Sequence, residues 1–355
     1  MNVEGIQTTE ESSVAGHEWP AVVQIVGPTD NWILEKLARV LVSKLPYASF
    51  SPWEPRRNGP AGLAYYVNYA LFQRSTSQID VGFFTHRDDS QGFLERARAM
   101  NFCVSMARVT ADFLAAEGVR HSCHIPMGFD RTRYRPRLVL GVVGRTDHPR
   151  KGKPLIEAVK QLPGVDVRST EGQIDEEALR NFYQAVDFVL IASTVEGGPM
   201  CLLEGLGCGK PVIAPDDVGI VPEIAEHPAV HRYRTGDGES LLAVVRKCHS
   251  QKQQIAKLVE HRSWDQWAKD HDTLFRRLLH ERGIDLPKPA PGFRFGLVDE
   301  LEIPPGVDGA RVEAIVDQAA RHLYFGRSSE ANSVLSEGAV EFPFLETLRR
   351  SIPAA

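Results

Sequence analysis

Two glutamates, Glu196 and Glu204, stand eight positions apart in the stretch STVEGGPMCLLEGLGCGKPVIAP, which runs from Ser193 to Pro215. Pro199 suits the first position of a helix, because its missing N–H would be unpaired there anyway. We therefore predict a helix that begins near Pro199, with Glu196 on the loop before it and Glu204 in its second turn. A helix start presents unpaired N–H groups and a partial positive charge, which favour a bound phosphate.

The residues around this helix start indicate the kind of ligand. Gly197 and Gly198 carry no Cβ, so the backbone can come close to a bound molecule. Two carboxylates would repel a phosphate, but they accept hydrogen bonds from hydroxyl groups. A phosphate with a sugar on either side satisfies both requirements, so the pattern predicts a nucleotide-sugar site.

The elements that must position this site alternate between strand and helix patterns. The apolar, β-branched run AVVQIVG at residues 21–27 is typical of a buried strand, and DNWILEKLARVLVSKL after it has helical spacing. The polar stretch FDRTRYRPR at residues 129–137 interrupts the alternation, which starts again with LVLGVVG. Alternation of this kind predicts an α/β protein with two Rossmann-like, doubly wound parallel-sheet domains in series.

The residue composition changes at residue 286, where Pro/Gly-rich linkers precede two or three predicted short amphipathic helices. Such helices cannot bury their own faces, so we expect them to pack on the body or on a second copy, which would make a homo-oligomer. The predicted organisation is a disordered tail over 1–19, an acceptor domain over 20–136, a donor domain over 137–285, and a linker with a small C-terminal helical appendage over 286–355.

Composition favours a cytoplasmic globular protein, with a peripheral position at a membrane left open. The chain has 355 residues, five cysteines without a C-x-x-C pair, no apolar leader and no run long enough to span a membrane. The net charge of −5 is uneven: residues 21–137 carry 15 Lys and Arg against 10 Asp and Glu, a balance of +5. A basic first domain suits an anionic partner, although ordinary scatter also explains such a balance.

Several motifs together resemble those of the retaining GT-B glycosyltransferases, the family-four type of the glycosyl transferases group 1. EGGPMCLLEGLGCGKPVIA is similar to their E-x7-E signature, and VVGRTDHPRKGKPLIEAV to their Gly-Arg…Lys-Gly segment. HIPMGFDRTRYRP, VGIVPEI and SWDQWA are similar to their interdomain linker, their Gly-x-x-Pro-Glu turn and the start of their last helix. The resemblance covers residues 20–282 and implies a GT-B fold whose two domains face a cleft.

The resemblance also implies roles in the second domain. Glu204 would hold the ribose hydroxyls, and Glu196 would contact the donor sugar at the reacting centre. Arg145 and Lys151 would neutralise the diphosphate leaving group, so no metal and no other cofactor is expected. The family spaces its Arg and Lys one residue closer, and Arg150 occupies that spacing here, so either Arg150 or Lys151 is the phosphate ligand.

Further implied contacts come from backbone and from the first domain. Gly27 would face the donor phosphates, and His86, at the end of the strand DVGFFTH, would lie near the acceptor. The backbone at the predicted helix start would assist at the diphosphate: Gly197, Gly198, Pro199 and Met200. The donor would be a UDP-, GDP- or ADP-sugar, and transfer would retain the anomeric configuration, with the leaving phosphate helping to take the acceptor proton.

Three other motifs are rejected, and two other functions stay open. GLGCGKP lacks the glycine and the Ser/Thr of a phosphate loop, HSCH has no second ligand cluster, and DHD lies within a helical pattern. The acceptor is unidentified and open to an anionic class. The alternatives are another GT-B enzyme, an epimerase or a phosphorylase, or a catalytically silent binding or assembly module.

Overall fold

The computed structural model describes residues 22–30, 32–54, 61–75, 77–88, 91–172, 174–291, 293–298, 301, 303–304 and 306–352. The tail predicted over residues 1–19 therefore lies outside the described residues.

The first domain is built on a six-stranded parallel sheet with the strand order β2-β1-β3-β4-β5-β6. Val23 and Ile25 of β1 point into one core while Val26 points into another, as alternating strand residues must. Helices consequently cover both faces. The elements are β1 (Val23–Gly27), α1 (Ile33–Lys44), β2 (Ala48–Pro52), β3 (Leu63–Tyr66), β4 (Ile79–Phe84), α2 (Gln91–Ala99), β5 (Phe102–Ser105), α3 (Arg108–Ala116) and β6 (Ser122–His124).

The second domain has a five-stranded parallel sheet with the order β11-β10-β9-β7-β8. Its two faces are likewise covered, by separate apolar cores. The elements are β7 (Leu138–Val142), α4 (Lys153–Lys160), β8 (Val165–Ser169), α5 (Glu176–Gln184), β9 (Phe188–Leu190), α6 (Met200–Gly207), β10 (Val212–Pro215), β11 (Val230–Tyr233) and α7 (Gly238–Lys257).

Both sheets contain a point where the strand order reverses. β1 lies between β2 and β3, and β7 lies between β8 and β9, so successive crossovers leave the first strand in opposite directions. Ligands of open α/β sheets bind in the crevice outside the carboxyl ends of strands at such a point. The strand order therefore indicates that a ligand would bind near the residues that follow β1, β7 and β9.

The helix α8 (Trp264–His280) follows the second sheet in sequence but packs on the first. Trp267 and Phe275 lie in the same core as Val23 and Ile25 of β1. The domain boundaries stay predictions, but this helix, from the range predicted for the second domain, covers the first sheet. The two domains are therefore joined by α8 as well as by the linker.

Asp272 and His271, the residues of the rejected DHD motif, tie α8 to the first domain. The Tyr47 hydroxyl donates to Asp272 Oδ1 over 2.7 Å, and the buried His271 Nε2 lies 2.8 Å from the Tyr65 hydroxyl. Burial lowers the pKa of His271 to about 4, so its ring is neutral at physiological pH. The motif has a structural role at this interface.

The appendage consists of α9 (Gly309–Tyr324), α10 (Ser328–Glu341) and α11 (Leu345–Ser351), which share an apolar core. It packs on the body of the molecule through Lys44 of α1. The Lys44 ammonium lies 2.9 Å from Glu313 and 2.8 Å from Asp317, both on α9, and 3.4 Å from Asp265 on α8. One of the two predicted packings is thus present, and assembly with a second copy stays a prediction.

Lys44 is buried, and its charge is held by its neighbours. Burial opposes that charge, but the carboxylates of Asp317, Asp265 and Glu313 outweigh it and raise the pKa of Lys44. Burial in turn raises the pKa values of Glu313 and Asp317. The ammonium is therefore the charge that allows three acidic groups to meet in one interface.

We expect Lys44→Met to lower the free energy of unfolding by about 3–5 kcal/mol, because the substitution leaves buried carboxylates without a positively charged partner. The measurement is urea unfolding at neutral pH. Lys160→Met is the matched control: it removes an exposed lysine paired with Glu157 on the same helix and should change stability by no more than about 1 kcal/mol. Equal effects of the two substitutions would show that Lys44 does not hold the interface.

Candidate active site

The helix start that the sequence singled out is present. α6 begins at Met200, directly after Pro199, and no side chain caps its first turn. Glu196 stands on the loop before the helix, and Glu204 is its fifth residue. Pro199 takes the N-cap position rather than the first helical position, a shift of one residue that leaves the N–H groups of the first turn unpaired by side chains.

Glu196 is bound by Lys151. The Lys151 ammonium lies 2.5 Å from Glu196 Oε1, and the two side chains are 27% and 12% exposed. Burial raises the pKa of Glu196, but hydrogen bonds from Lys151 and Ser193 and the charges of Lys151 and Arg150 outweigh it, so the pKa lies below its usual range. Glu196 is therefore a charged acceptor of hydrogen bonds at neutral pH.

A glycine holds these two loops together. Gly152 has a left-handed φ of 69°, and a Cβ at this position would lie 2.0 Å from the carbonyl oxygen of Ala192. The two loops are also joined by a backbone hydrogen bond, in which the Thr194 N–H donates to the Arg150 carbonyl over 2.9 Å. Arg150 lies two residues before Gly152, and Thr194 lies two residues after Ala192. Only glycine fits both the conformation and the space, which explains the Lys-Gly pair in the sequence.

Glu204 is anchored by a residue that the sequence did not reveal. The buried Tyr183, in the last turn of α5, donates its hydroxyl to Glu204 Oε2 over 2.6 Å. Burial and this hydrogen bond raise the pKa of Tyr183, so the phenol keeps its proton and remains the donor. No described residue bonds to Oε1 of Glu204, which stays available to a ligand.

The charges of Lys151, Glu196 and Glu204 all influence the pKa of the Cys201 thiol. Burial raises the pKa of Cys201 to about 11, while the charge of Lys151 lowers it and those of Glu204 and Glu196 raise it. Cys201 is the second residue of α6. Glu196 and its partner Lys151 thus lie before the first turn of this helix, and Glu204 lies in its second turn.

Two arginines on or near these loops have no hydrogen-bonding or ion-pair partner in the part of the chain that the structure describes. The side chains of Arg145 and Arg150 are exposed and form no hydrogen bond or ion pair with any residue that the structure describes. Arg145 follows β7, on a loop that is tied to the end of β8 by a 2.9 Å hydrogen bond from the Gly144 N–H to the Thr170 hydroxyl. Unpaired arginines beside a switch point are suited to bind an anion.

Gly219 packs closely against the loop that carries Glu196. Its φ is 53°, and a Cβ would lie 2.8 Å from the Gly197 carbonyl oxygen and 3.0 Å from Pro199 Cδ. This residue belongs to the Gly-x-x-Pro-Glu turn noted in the sequence. The motif therefore marked Gly219, but it did not predict that Gly219 packs against the loop of Glu196. Ser193 and Tyr183 gave no comparable signal, because a serine after a strand and a tyrosine in a helix are common.

The predicted first-domain residues do not join this cluster. Gly27 is buried, and a Cβ there would lie 3.1 Å from Ala38 Cβ, which gives it a packing role at the end of β1. His86 is exposed beyond β4, where its Nδ1 lies 2.9 Å from the Thr85 hydroxyl. Among the described residues, neither bonds to Lys151 or Glu196, so their roles toward donor and acceptor stay predictions.

The described residues contain no group of three or more His, Cys, Asp or Glu side chains arranged to hold a metal ion. They also contain no helix long and apolar enough to cross a membrane.

Comparison with known proteins bears on the second domain. Residues 129–262 match the family model of the glycosyl transferases group 1. This part of the chain is therefore similar to the glycosyl transferases group 1 domain. The match includes Arg145, Lys151, Glu196 and Glu204, and it begins within the stretch predicted as the linker. Together with the two parallel sheets and the C-terminal helices, it confirms the predicted GT-B fold class.

Individual relatives are more distant. A probable transglycosylase from Burkholderia thailandensis is 34% identical over 93 residues, which is 22% of this chain and 26% of that protein. The chain therefore matches about a quarter of that relative's length. Sucrose-phosphate synthase from Thermosynechococcus elongatus is 14% identical, with coverage of 73% of this chain and 99% of that chain and a TM-score of 0.30.

An Anabaena protein whose structure is a complex with UDP is 15% identical, with coverage of 71% of this chain and 98% of that chain, also at a TM-score of 0.30. TM-scores of this size support no conclusion about the present chain, whose fold is defined by its own strand order.

We expect Gly152→Ala to lower the free energy of unfolding by about 3 kcal/mol or more, because a methyl group meets the Ala192 carbonyl. Gly209→Ala is the matched control, since Gly209 has a similar φ of 72° but open space around its Cβ. Gly209→Ala should lower the free energy of unfolding by only about 1–2 kcal/mol, the cost of a left-handed backbone conformation for a residue with a Cβ. Thermal unfolding of both variants measures the difference, and equal losses would mean that the two loops do not need this contact.

Proposed function

We propose that this protein transfers a sugar from a nucleotide-diphosphate sugar to an acceptor hydroxyl, with retention of the anomeric configuration. One observation carries the proposal: Lys151 and Glu196 are paired at the uncapped start of α6, four residues before that helix presents Glu204. An anion site bracketed by two hydroxyl-binding carboxylates suits a diphosphate that has a sugar at each end.

The diphosphate would lie at the start of α6. The backbone of Gly197 and Gly198 is exposed, and among the described residues a Cβ at either position would meet only one atom within 4 Å, at 3.8 Å. The helix start and the two unpaired guanidinium groups of Arg145 and Arg150 would supply positive charge. This charge would stabilise the leaving diphosphate without a divalent metal ion, which is how we propose that the enzyme works.

The ribose would be read by Glu204. The hydrogen bond from Tyr183 to Oε2 fixes the plane of the Glu204 carboxylate. Oε1 would then accept hydrogen bonds from the ribose. A carboxylate that is already oriented loses less side-chain entropy when it binds two ribose hydroxyls.

The donor sugar would be held by Glu196. A carboxylate with a lowered pKa stays charged and so accepts hydrogen bonds from sugar hydroxyls. The ammonium of Lys151 has three N–H donors, of which one serves Glu196, and another can reach a phosphate oxygen. Lys151 would thus couple the position of the sugar to the position of the leaving group.

In the reaction, the bond between the anomeric carbon and the phosphate oxygen breaks, and the electron pair leaves with the diphosphate. The acceptor oxygen attacks the same face, and its proton passes to the departing phosphate oxygen, so no protein nucleophile is consumed. His86 would stand beside the acceptor, and Gly27 would lie beneath the donor phosphates. Closure of the two domains would exclude water, which otherwise hydrolyses the donor.

Glu204→Ala should weaken nucleotide binding by about 10- to 100-fold, the value of hydrogen bonds to a charged group. Isothermal titration with the nucleoside diphosphate measures the loss. Glu157→Gln, a change on the exposed face of α4, is the control and should leave the affinity unchanged. An affinity in Glu204→Ala equal to that of the control would remove Glu204 from the site.

Glu196→Gln should lower turnover by about a hundredfold with little change in nucleotide affinity, because the contact strengthens when the sugar departs. Initial rates and titrations on the same preparation separate the two quantities. A variant that turns over at the wild-type rate contradicts the assignment of Glu196.

A thermal-shift panel of UDP, GDP and ADP, alone and as sugar conjugates, tests the proposal as a whole. A ligand that binds only the native state at 100 times its Kd stabilises that state by about 2.7 kcal/mol, so one base should raise the melting temperature and the others should not. Donor consumption that needs an added acceptor is expected of a transferase. Consumption without one would favour an epimerase or phosphorylase, and no shift with any nucleotide would contradict the proposal.

A further inference from the structure

We propose that Tyr69 is a positioning residue for His86: a hydrogen bond from the Tyr69 hydroxyl to Asp88 holds the loop that carries His86. This inference rests on the proposed transfer reaction, in which His86 stands beside the acceptor, and adds a residue that acts through it. Tyr69 lies outside residues 129–262, which match the family model, and outside the motifs noted in the sequence.

The loop that carries His86 comprises residues 85–88, directly after β4. Among the described residues, no backbone hydrogen bond joins this loop to another part of the chain. Side chains hold it instead. The Thr85 hydroxyl lies 2.9 Å from His86 Nδ1, and the Arg87 guanidinium lies 4.0 Å from the centre of the Phe113 ring. The position of His86 therefore depends on side-chain contacts.

Tyr69 reaches this loop from the neighbouring strand. It begins the short 3-10 turn Tyr69–Leu71, which follows β3, and β3 is the parallel neighbour of β4. The Tyr69 hydroxyl donates to Asp88 Oδ2 over 2.9 Å, and the ring centres of Tyr69 and His86 lie 6.3 Å apart. One side chain thus touches His86 itself and binds the residue two positions after it.

The ring of Tyr69 is fixed by its surroundings. It is only 4% exposed, it stacks on Phe84 at 4.9 Å between ring centres, and it meets Phe93 edge-on at 5.0 Å. Burial and the bond to Asp88 raise the pKa of Tyr69 to about 12, so the phenol keeps its proton and remains the donor. A ring that cannot move holds its hydroxyl, and with it Asp88, at one place.

The turn that carries Tyr69 is also tied to the end of β1. The Trp53 indole N–H donates to the Leu71 carbonyl over 2.8 Å, and the Trp53 backbone N–H donates to the Gly27 carbonyl over 2.8 Å. These contacts connect the ends of β1, β2 and β3 at the carboxyl edge of the first sheet, and Tyr69 extends the connection to the loop after β4. Through Tyr69, the position of His86 is linked to that of Gly27, which we propose to lie beneath the donor phosphates.

The test follows the imidazole signals of isotope-labelled histidine by NMR in the full chain, and the signal that is missing from His86→Ala identifies His86. Tyr69→Phe keeps the ring and removes the hydroxyl. Tyr47→Phe is the matched control, because the Tyr47 hydroxyl also donates to a carboxylate, that of Asp272 over 2.7 Å. Tyr47 directly precedes β2, so it lies at the opposite edge of the same sheet.

We expect Tyr69→Phe to displace or broaden the His86 signal, and Tyr47→Phe to leave it in place. Phenylalanine retains the ring beside His86, so a displaced signal reports movement of His86. Asp88→Ala removes the same bond from its acceptor side and should displace the signal as well. The melting temperatures should fall by similar amounts in Tyr69→Phe and Tyr47→Phe, since each loses one hydrogen bond to a carboxylate. A signal that stays in place in Tyr69→Phe or Asp88→Ala, or that moves equally in Tyr47→Phe, would overturn the proposal.

A double-mutant cycle separates positioning from stability. The quantity measured is the rate at which nucleoside diphosphate is released from the sugar nucleotide that the thermal-shift panel selects, with water as the acceptor. Tyr69→Phe should lower this rate about tenfold, the value of a hydrogen bond to a charged group, and leave the nucleotide affinity unchanged. In the His86→Ala background the same change should have no further effect, because residues that act as a unit are not additive. An equal loss in both backgrounds would show that Tyr69 does not act through His86.

The NMR signal and the nucleotide panel can fail separately. A His86 signal that depends on the Tyr69 hydroxyl, in a protein that binds no nucleotide, would support the link between the two residues while contradicting the transferase. Nucleotide binding and donor turnover with a His86 signal that ignores Tyr69→Phe would support the transferase and remove Tyr69 from its mechanism.

Discussion

The close approach of Gly152 to the carbonyl of Ala192 is the constraint on which the candidate active site depends. The two loops that it joins follow β7 and β9, which are neighbours at the point where the second sheet reverses its strand order. Without a Cβ at this position, Lys151 reaches Glu196 directly. A backbone contact therefore determines an electrostatic one, and the charge state of Glu196 follows from both.

The first domain depends on residues that come much later in the chain. α8 supplies Trp267 and Phe275 to the core of the first sheet, and α9 is fixed to α1 through Lys44. Deletion of the C-terminal part would therefore expose core residues of the first domain. The linker and α8 cross between the domains side by side, since Phe129 and Ser263 form a bridge. Movement between the domains would have to bend both connections together.

Local patterns made the two sheets, α6 and the positions of Glu196 and Glu204 predictable, because strand alternation, helix starts and glycine turns act within a few residues. Contacts between distant segments left no such trace. Tyr183 bonds to Glu204 from another helix, and α8 packs on a sheet more than a hundred residues before it. Gly27 also has close packing neighbours that its position at a strand end did not reveal, and its role toward the donor phosphates stays a prediction.

The pairing of Lys151 with Glu196 also bears on which cations bind the diphosphate. An ammonium that already serves a charged carboxylate brings little net positive charge to the site, although its other donors remain. Arg145 and Arg150 form no ion pair with a described residue, although the charge of Arg150 helps to lower the pKa of Glu196. Of the two candidates left open by the spacing in the sequence, we therefore expect Arg150 to supply net charge to the diphosphate and Lys151 to position the sugar. A site with this division can hold the sugar in place before the negative charge on the leaving group develops.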